Sequence, residues 1–262
     1  MNGIFLQGGG AKGAFQAGVI YGLFENGLEF DIISGTSIGA INSYYIYSGN
    51  FEKMKKMWTE MKFFSDEIND AAYLEKMKVV ENQMMIDALK DLDGLNRSVH
   101  SVYVNYVEIK KTNIEEVAVD ITKLSKKDML DSIKYSSLLP CRVENRVSLE
   151  EFVKNFDSKA VFDRFKEDLV KGEYDGYKLD GGILNNNFLN PFVKNKVDKL
   201  FIVVFKKDYE VPEYILNNYK KSDIVVIEPE TEMTTRDTLR FEKEFCKKIF
   251  DEGYKIGKTI KY

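Results

Sequence analysis

Two glycine-framed turns near the amino terminus constrain this chain more than any other feature. Ile4-Phe5-Leu6 is a short apolar run that stops at Gly8-Gly9-Gly10-Ala11-Lys12-Gly13. Phe15, Val19, Leu23 and Phe24 then recur at helical spacing. The pattern repeats at once: Asp31-Ile32-Ile33 runs into Ser34-Gly35-Thr36-Ser37-Ile38-Gly39, ahead of a second helical run to Tyr47. Ten of the eighteen glycines fall in residues 1–39, which ties them to these two turns. Strand, loop, helix, strand, loop, helix is the opening of a parallel α/β sheet. The expected class is α/β, a three-layer α/β/α arrangement with a largely parallel central sheet.

The rest of the chain extends that plan. Residues 51–96 read as helical with no clear strand, which predicts a helical insertion and a candidate lid. Val102–Lys110 alternates as a strand should, and Val117–Ile121 follows as its partner. Ser125-Lys126-Lys127-Asp128 resembles a capping box opening a helix to Leu139, before Pro140. Residues 149–173 read as helical, and Lys199–Lys206 and Ile224–Ile227 as buried strands. From Arg236 onward, Phe241, Phe245, Ile249 and Phe250 share one helical face. No repeat, low-complexity tract or Pro/Gly linker divides the chain, so one domain over residues 1–262 is expected.

The glycine loop has three readings. Gly8–Gly13 matches G-x-G-x-x-G between a strand and a helix, the context of a dinucleotide site. That site also needs an acidic residue at the end of the second strand, whereas Asp31 stands before it. The loop also matches the start of a Walker motif, but Ala14-Phe15 stands where Lys-Ser/Thr must follow. The third reading is general: glycines let backbone N–H groups converge beside a helix N-terminus and stabilise a bound phosphate or a transient oxyanion. A plain tight turn would not need three consecutive glycines.

Gly35-Thr36-Ser37-Ile38-Gly39 fits G-x-S-x-G at a strand-to-helix turn, the setting that raises a nucleophilic serine above a sheet. Such a serine needs a base. The sequence holds one histidine, His100, in Arg97-Ser98-Val99-His100-Ser101 ahead of a strand, with no glycine beside it. The alternative is a carboxylate, and Lys178-Leu179-Asp180-Gly181-Gly182 aims an acid from the end of a short apolar run. Burial away from cations would raise the pKa of Asp180 and strengthen it as a base. Asp-Gly-Gly is by itself also a plain turn.

Composition removes other classes. One histidine and two cysteines, Cys141 and Cys246, cannot build the usual Cys/His zinc sites, and no acidic calcium-loop pattern is present, so no metal is expected. The cysteines are expected as free thiols in an intracellular chain. With 38 Lys+Arg against 42 Asp+Glu the net charge is −4, which argues against a nucleic-acid partner. There is no signal-peptide pattern and no apolar run of spanning length, so a cytoplasmic location is expected, with export by a signal-independent route left open.

Gly8–Gly13, Gly35–Gly39 and Asp180–Gly182, in this order, resemble the patatin-like phospholipase family. Its signature is a G-G-G-x-[K/R]-G loop, a G-x-S-x-G elbow and a later D-G-G or D-G-A. The resemblance implies Ser37 as nucleophile, Asp180 as base and the backbone of Gly8, Gly9 and Gly10 as oxyanion hole, with no cofactor and no histidine. Lys12 fills the family's basic position, and Gly13, Gly35, Gly39, Gly181 and Gly182 complete the motifs. Tyr135-Ser136-Ser137-Leu138-Leu139-Pro140 echoes a weaker block, Ala-Ser-x-Ala-x-Pro, with both alanines replaced. After Asp-Gly-Gly this chain reads Asn186-Asn187-Phe188 where the family often has Asn-x-Pro.

The implied reaction is hydrolysis of a phospholipid or other lipid ester through an acyl-serine, with contact at a membrane surface. Met54, Met57, Trp58 and Met61, set among Lys53, Lys55, Lys56 and Lys62, fit either an interfacial helix or, by preference, a helix packing on the core. Two other classes remain open at this point: a non-catalytic module binding an anion or nucleotide on the glycine loop, and an acyltransferase using the same serine. The sequence leaves the oligomeric state undetermined.

Overall fold

A computed structural model describes residues 1–60, 77–143 and 147–261. The chain opens with β1 (Asn2–Leu6), a 3-10 turn at Gly10–Lys12, α1 (Gly13–Glu25), β2 (Ile32–Thr36), α2 (Ile38–Ser48) and α3 (Phe51–Glu60). Then come β3 (Val79–Val80), α4 (Gln83–Lys90), β4 (Ser101–Lys110), β5 (Asn113–Asp120), α5 (Lys126–Ser136) and β6 (Leu139–Pro140). Next are α6 (Leu149–Asn155), α7 (Ser158–Val170), β7 (Lys178–Asp180), α8 (Gly182–Asn185) and α9 (Pro191–Lys194). β8 (Lys199–Val203), α10 (Glu213–Leu216), β9 (Ile224–Ile227) and α11 (Lys243–Thr259) complete the order.

The main sheet runs β5-β4-β2-β1-β8-β9, with β7 also paired to β4. The inner pairs β4–β2, β2–β1, β1–β8 and β8–β9 are parallel, while β5 and β7 run antiparallel to β4. Strand residues alternate between two cores, as the period-2 pleat requires. Ile4, Leu6, Phe201 and Val203 face α1, α2, α3 and α11, while Phe5, Leu200 and Ile202 face Phe192 of α9 and Ile215 of α10. This is the expected three-layer α/β/α class.

Several elements differ from their sequence expectation. The stretch 51–96 contains a strand after all: Val79–Val80 pairs antiparallel with Leu139–Pro140. Two residues are too few to leave a period in the sequence. In α3, Met54, Met57 and Trp58 are buried in the core, so this face packs inward. Met61 and Lys62, the rest of that pattern, lie outside the described residues. The Ser125 side chain does accept from the Asp128 N–H, but its helix stops at Ser136. Phe241 precedes α11 and stacks on Trp58 at 6.3 Å between ring centroids.

The amino-terminal glycines serve two ends. A Cβ on Gly18 would lie 2.0 Å from the Phe250 carbonyl oxygen, and one on Gly253 2.1 Å from that of Phe15. These glycines therefore let α1 and α11 approach backbone to backbone, and Gly18 belongs to the amino-terminal skew without serving either turn. Cys141 and Cys246 are free and buried, and burial pushes each thiol up to about 12. Among the described residues no helix is long and apolar enough to cross a membrane.

Candidate active site

The strand register brings the serine and the aspartate together. Along one edge of β4, β2 pairs as far as Thr36↔Asn105, and β7 takes over at Asp180↔Tyr106. β2 runs parallel to β4 and β7 antiparallel, so their ends meet head to head. Ser37 is the next residue after β2, and Asp180 is the last residue of β7. The Ser37 side chain reaches the Asp180 carboxylate and favours its ionised form.

Each partner is fixed from behind. Ser37 has φ 57 and ψ −123, a backbone conformation that costs a non-glycine residue on the order of 1–3 kcal/mol. It is held by its own N–H, which donates to Ser136 Oγ at 2.9 Å, and by Thr36 Oγ1, which donates to Asn105 Oδ1 at 2.7 Å. Gly39 lets α2 start against β1, because a Cβ there would lie 2.1 Å from the Leu6 carbonyl oxygen. Asp180 Oδ1 accepts the Gly182 N–H at 2.7 Å, and the Asp180 N–H donates to the Leu138 carbonyl at 3.0 Å. A Cβ on Gly181 would lie 2.5 Å from the Asn105 carbonyl oxygen.

Ser37 is 9% exposed and Asp180 5%. Burial raises the Asp180 carboxyl from 3.8 to about 6, against the opposing hydrogen bonds from Ser37 and Gly182. A carboxyl with that value is ionised at neutral pH yet is a better proton acceptor than a free aspartate. His100 is nowhere near. Its N–H donates to the Asp31 carbonyl, ahead of β2, whereas Ser37 follows β2; five strand residues, about 17 Å, separate the two ends. The His100 side chain is 65% exposed, with Nδ1 3.7 Å from Asp31 Oδ1.

The glycine loop lies beside Ser37, where a Cβ on Gly8 would come within 3.0 Å of the Ser37 Cβ. Its three amides are not equivalent. The Gly8 N–H is already donated to Asn186 Oδ1 at 2.9 Å. The N–H groups of Gly9 and Gly10 have no hydrogen-bond partner among the described residues. Gly10 has φ 59, and a Cβ there would lie 2.0 Å from the Thr238 carbonyl oxygen, so only glycine fits. Gly13 packs under the elbow, where a Cβ would meet Ile38 at 2.4 Å. Gly35 lies against the Gly39 carbonyl, at 2.5 Å from its own would-be Cβ. Lys12 donates to the Thr234 carbonyl at 3.0 Å, and desolvation lowers its ammonium to about 8.

Gly8, Gly9, Gly10, Ser37 and Asp180 line a cavity of about 370 Å³. The lining also carries the apolar side chains of Val80, Met85, Leu139, Phe162, Leu239 and Phe241, which come from β3, α4, β6, α7 and the segment before α11, beside polar ones such as Glu81, Ser158 and Lys159. Of the stretch 51–96, therefore, β3 and α4 reach the cavity; residues 61–76 lie outside the described residues. A mostly apolar lining with a few polar groups around Ser37 has room for an acyl chain and its ester. Asn105, Ser136 and Asn186 were not singled out as site residues by sequence. Their only signals were a polar residue in an otherwise apolar strand face and two faint motif echoes.

The sequence pattern of the patatin-like phospholipase family matches residues 4–193. The chain belongs to this family. Relatives of known name match over shorter stretches. The lysophospholipase nte1 of Aspergillus terreus is 60% identical over 40 residues, 15% of this chain and 3% of that protein. A patatin-like phospholipase domain-containing protein of Caenorhabditis elegans is 36% identical over 69 residues, 26% of this chain and 6% of that protein. The fold is similar to that of the type III effector protein ExoU, with a TM-score of 0.50 and 12% identity, over 98% of this chain and 52% of that one. This patatin-like chain thus spans a small part of the curated relatives and about half of the solved one.

Proposed function

We propose that this chain is a lipid acyl hydrolase of the phospholipase A or lysophospholipase type, one domain using a Ser37–Asp180 dyad. The observation that carries the reading is a buried carboxylate of raised pKa beside the Ser37 side chain, in a cavity whose lining is mostly apolar. Ser37 Oγ attacks the ester carbonyl carbon while Asp180 takes the hydroxyl proton. The carbonyl oxygen becomes an oxyanion, held by the amides of Gly9 and Gly10, since that of Gly8 is committed to Asn186. Collapse of the tetrahedral intermediate breaks the ester C–O bond, and the leaving alkoxide takes the proton from Asp180. Water, deprotonated by Asp180, then attacks the acyl-serine, and the fatty acid leaves as Ser37 recovers its proton.

The test is hydrolysis of a panel of phospholipids, lysophospholipids and neutral esters by wild type, Ser37→Ala and Asp180→Asn, with fluorophosphonate labelling in parallel. Wild type is expected to turn over phospholipid or lysophospholipid and to carry one label on Ser37. Each variant is expected to lose activity by about a thousandfold or more. Turnover by Ser37→Ala at the wild-type rate would sink the mechanism. Absence of both turnover and label from wild type would favour a non-catalytic anion-binding module.

A further inference from the structure

Three consecutive glycines make the most flexible segment a chain can contain, and an oxyanion site works only if its donors are held in place before the charge develops. Something outside the loop must fix it. Within the loop itself, one bond closes the far side of the free amides, from the Lys12 N–H to the Gly9 carbonyl at 3.3 Å. On the near side the tether is Asn186. Its Oδ1 accepts the Gly8 N–H at 2.9 Å and its Nδ2 donates to the Gly8 carbonyl at 3.1 Å. The Gly8 N–H can be met only by oxygen, which fixes the orientation of the amide. Neither Gly8 group can turn away without breaking one of the two bonds.

Asn186 is itself anchored. It follows α8, whose first turn closes through the Asn185 N–H on the Gly181 carbonyl at 2.9 Å. Asn105 Nδ2 donates to the Asn185 carbonyl at 3.0 Å, and Asn105 Oδ1 holds Thr36, the residue before the nucleophile. A Cβ on Gly182 would meet Asp180 Oδ1 at 3.0 Å and Asn186 Oδ1 at 3.2 Å, so the amide stands beside the carboxylate. The loop that carries Asp180 therefore also grips the glycine loop.

We infer that Asn186 is a positioning residue for the oxyanion: it clamps the Gly8 backbone so that the amides of Gly9 and Gly10 point at the developing charge. Its own carboxamide is spent on Gly8 and does not touch the substrate oxygen. The inference rests on the serine–aspartate reading above. It assigns the two glycine amides a preorganised direction set by a side chain 178 residues away in sequence.

The test compares two ligands on wild type, Asn186→Ala and Asn186→Asp. One is a lipid trifluoromethyl ketone, whose carbonyl carbon accepts Ser37 Oγ while the hydroxyl proton passes to Asp180, leaving a bound oxyanion with no leaving group. The other is the matching ether lipid, which has no carbonyl and fills the cavity without reacting. Asn186→Asp keeps an acceptor for the Gly8 N–H but sets a second acceptor against the Gly8 carbonyl, so it breaks the clamp with almost no change of shape. Both variants are expected to bind the ketone about tenfold to a hundredfold more weakly and to lose kcat by the same factor. Ether-lipid affinity and KM should stay within about twofold, because those report the cavity alone.

Ketone affinity within twofold of wild type in both variants would overturn the inference. So would an equal loss for ketone and ether lipid, which would make Asn186 a general packing residue. A wild type that binds the ketone no better than the ether lipid would overturn the serine–aspartate reading and this inference together. A wild type that captures the ketone beside variants that match it would overturn the inference alone.

Discussion

The two parts of the cavity lining are built by different physics. The floor is backbone: two strand-to-helix turns, a strand end and glycines that admit contacts a Cβ would block, such as Gly39 on Leu6 and Gly10 on Thr238. The wall is side chain: Val80, Met85, Leu139, Phe162, Leu239 and Phe241, drawn from five separate stretches. A floor made of backbone tolerates almost no substitution, because a displaced peptide moves the reacting atoms. A wall made of apolar side chains tolerates exchange at the cost of shape.

Gly39→Ala should strike the floor hardest among the variants that leave both reacting groups in place. Its Cβ would lie 2.1 Å from the Leu6 carbonyl oxygen, so α2 must move away from β1 and carry Ser37 with it. The expected result is a loss of kcat of about a hundredfold and of about 1–3 kcal/mol in stability, read by turnover and urea unfolding. Activity within threefold of wild type would mean that the elbow is softer than its packing implies.

Asp180→Asn should have the opposite sign in stability. The folded carboxyl titrates at about 6 and the ordinary one at 3.8. Between those values the folded chain holds a proton that the unfolded chain has released, so stability falls as pH rises through that window. A difference of about two pH units corresponds to ~3 kcal/mol, fully present above pH 6 and absent below about pH 4. The neutral variant is therefore expected to be the more stable one at pH 8 and to match wild type at pH 4, as thermal unfolding would report. No gain at pH 8 would show that the buried charge is better compensated than its surroundings suggest.

The wall should respond more mildly. Phe162→Ala lengthens the cavity without touching Ser37 or Asp180, and is expected to shift the preferred acyl chain upward by several carbons. The rate on short esters should change by less than about threefold. Chain-length profiles on one headgroup series would register it. A large loss on all chain lengths would mean that the wall also positions the ester.

The same division explains what was legible in the sequence. The elbow at Gly35–Gly39 and the loop at Gly8–Gly13 could be read because their chemistry dictates backbone, and backbone of that kind demands glycine at fixed spacing. Asp180 could be located because its strand and two glycines sit in one short run. Asn186 could not be assigned its role, since an asparagine gripping a peptide has no local pattern. The difference among the three glycine amides was hidden for the same reason. Val79–Val80 and Leu139–Pro140 form a two-residue pairing across a long stretch of chain, set by tertiary contacts and not by period. Gly18 and Gly22 lie close to the turns in sequence, yet both serve the close approach of α1 to α11, which has no local pattern.

The central claim is that a carboxylate, and not the single histidine, activates Ser37. The pH dependence of fluorophosphonate labelling at Ser37, followed by mass spectrometry in wild type and His100→Ala, tests it most directly. Asp180 must be ionised to accept the proton, so the labelling rate should fall tenfold per pH unit below about pH 6 in both proteins. Identical profiles are expected, because His100 lies at the far end of β2. An acid limb that shifts or vanishes in His100→Ala would contradict the account.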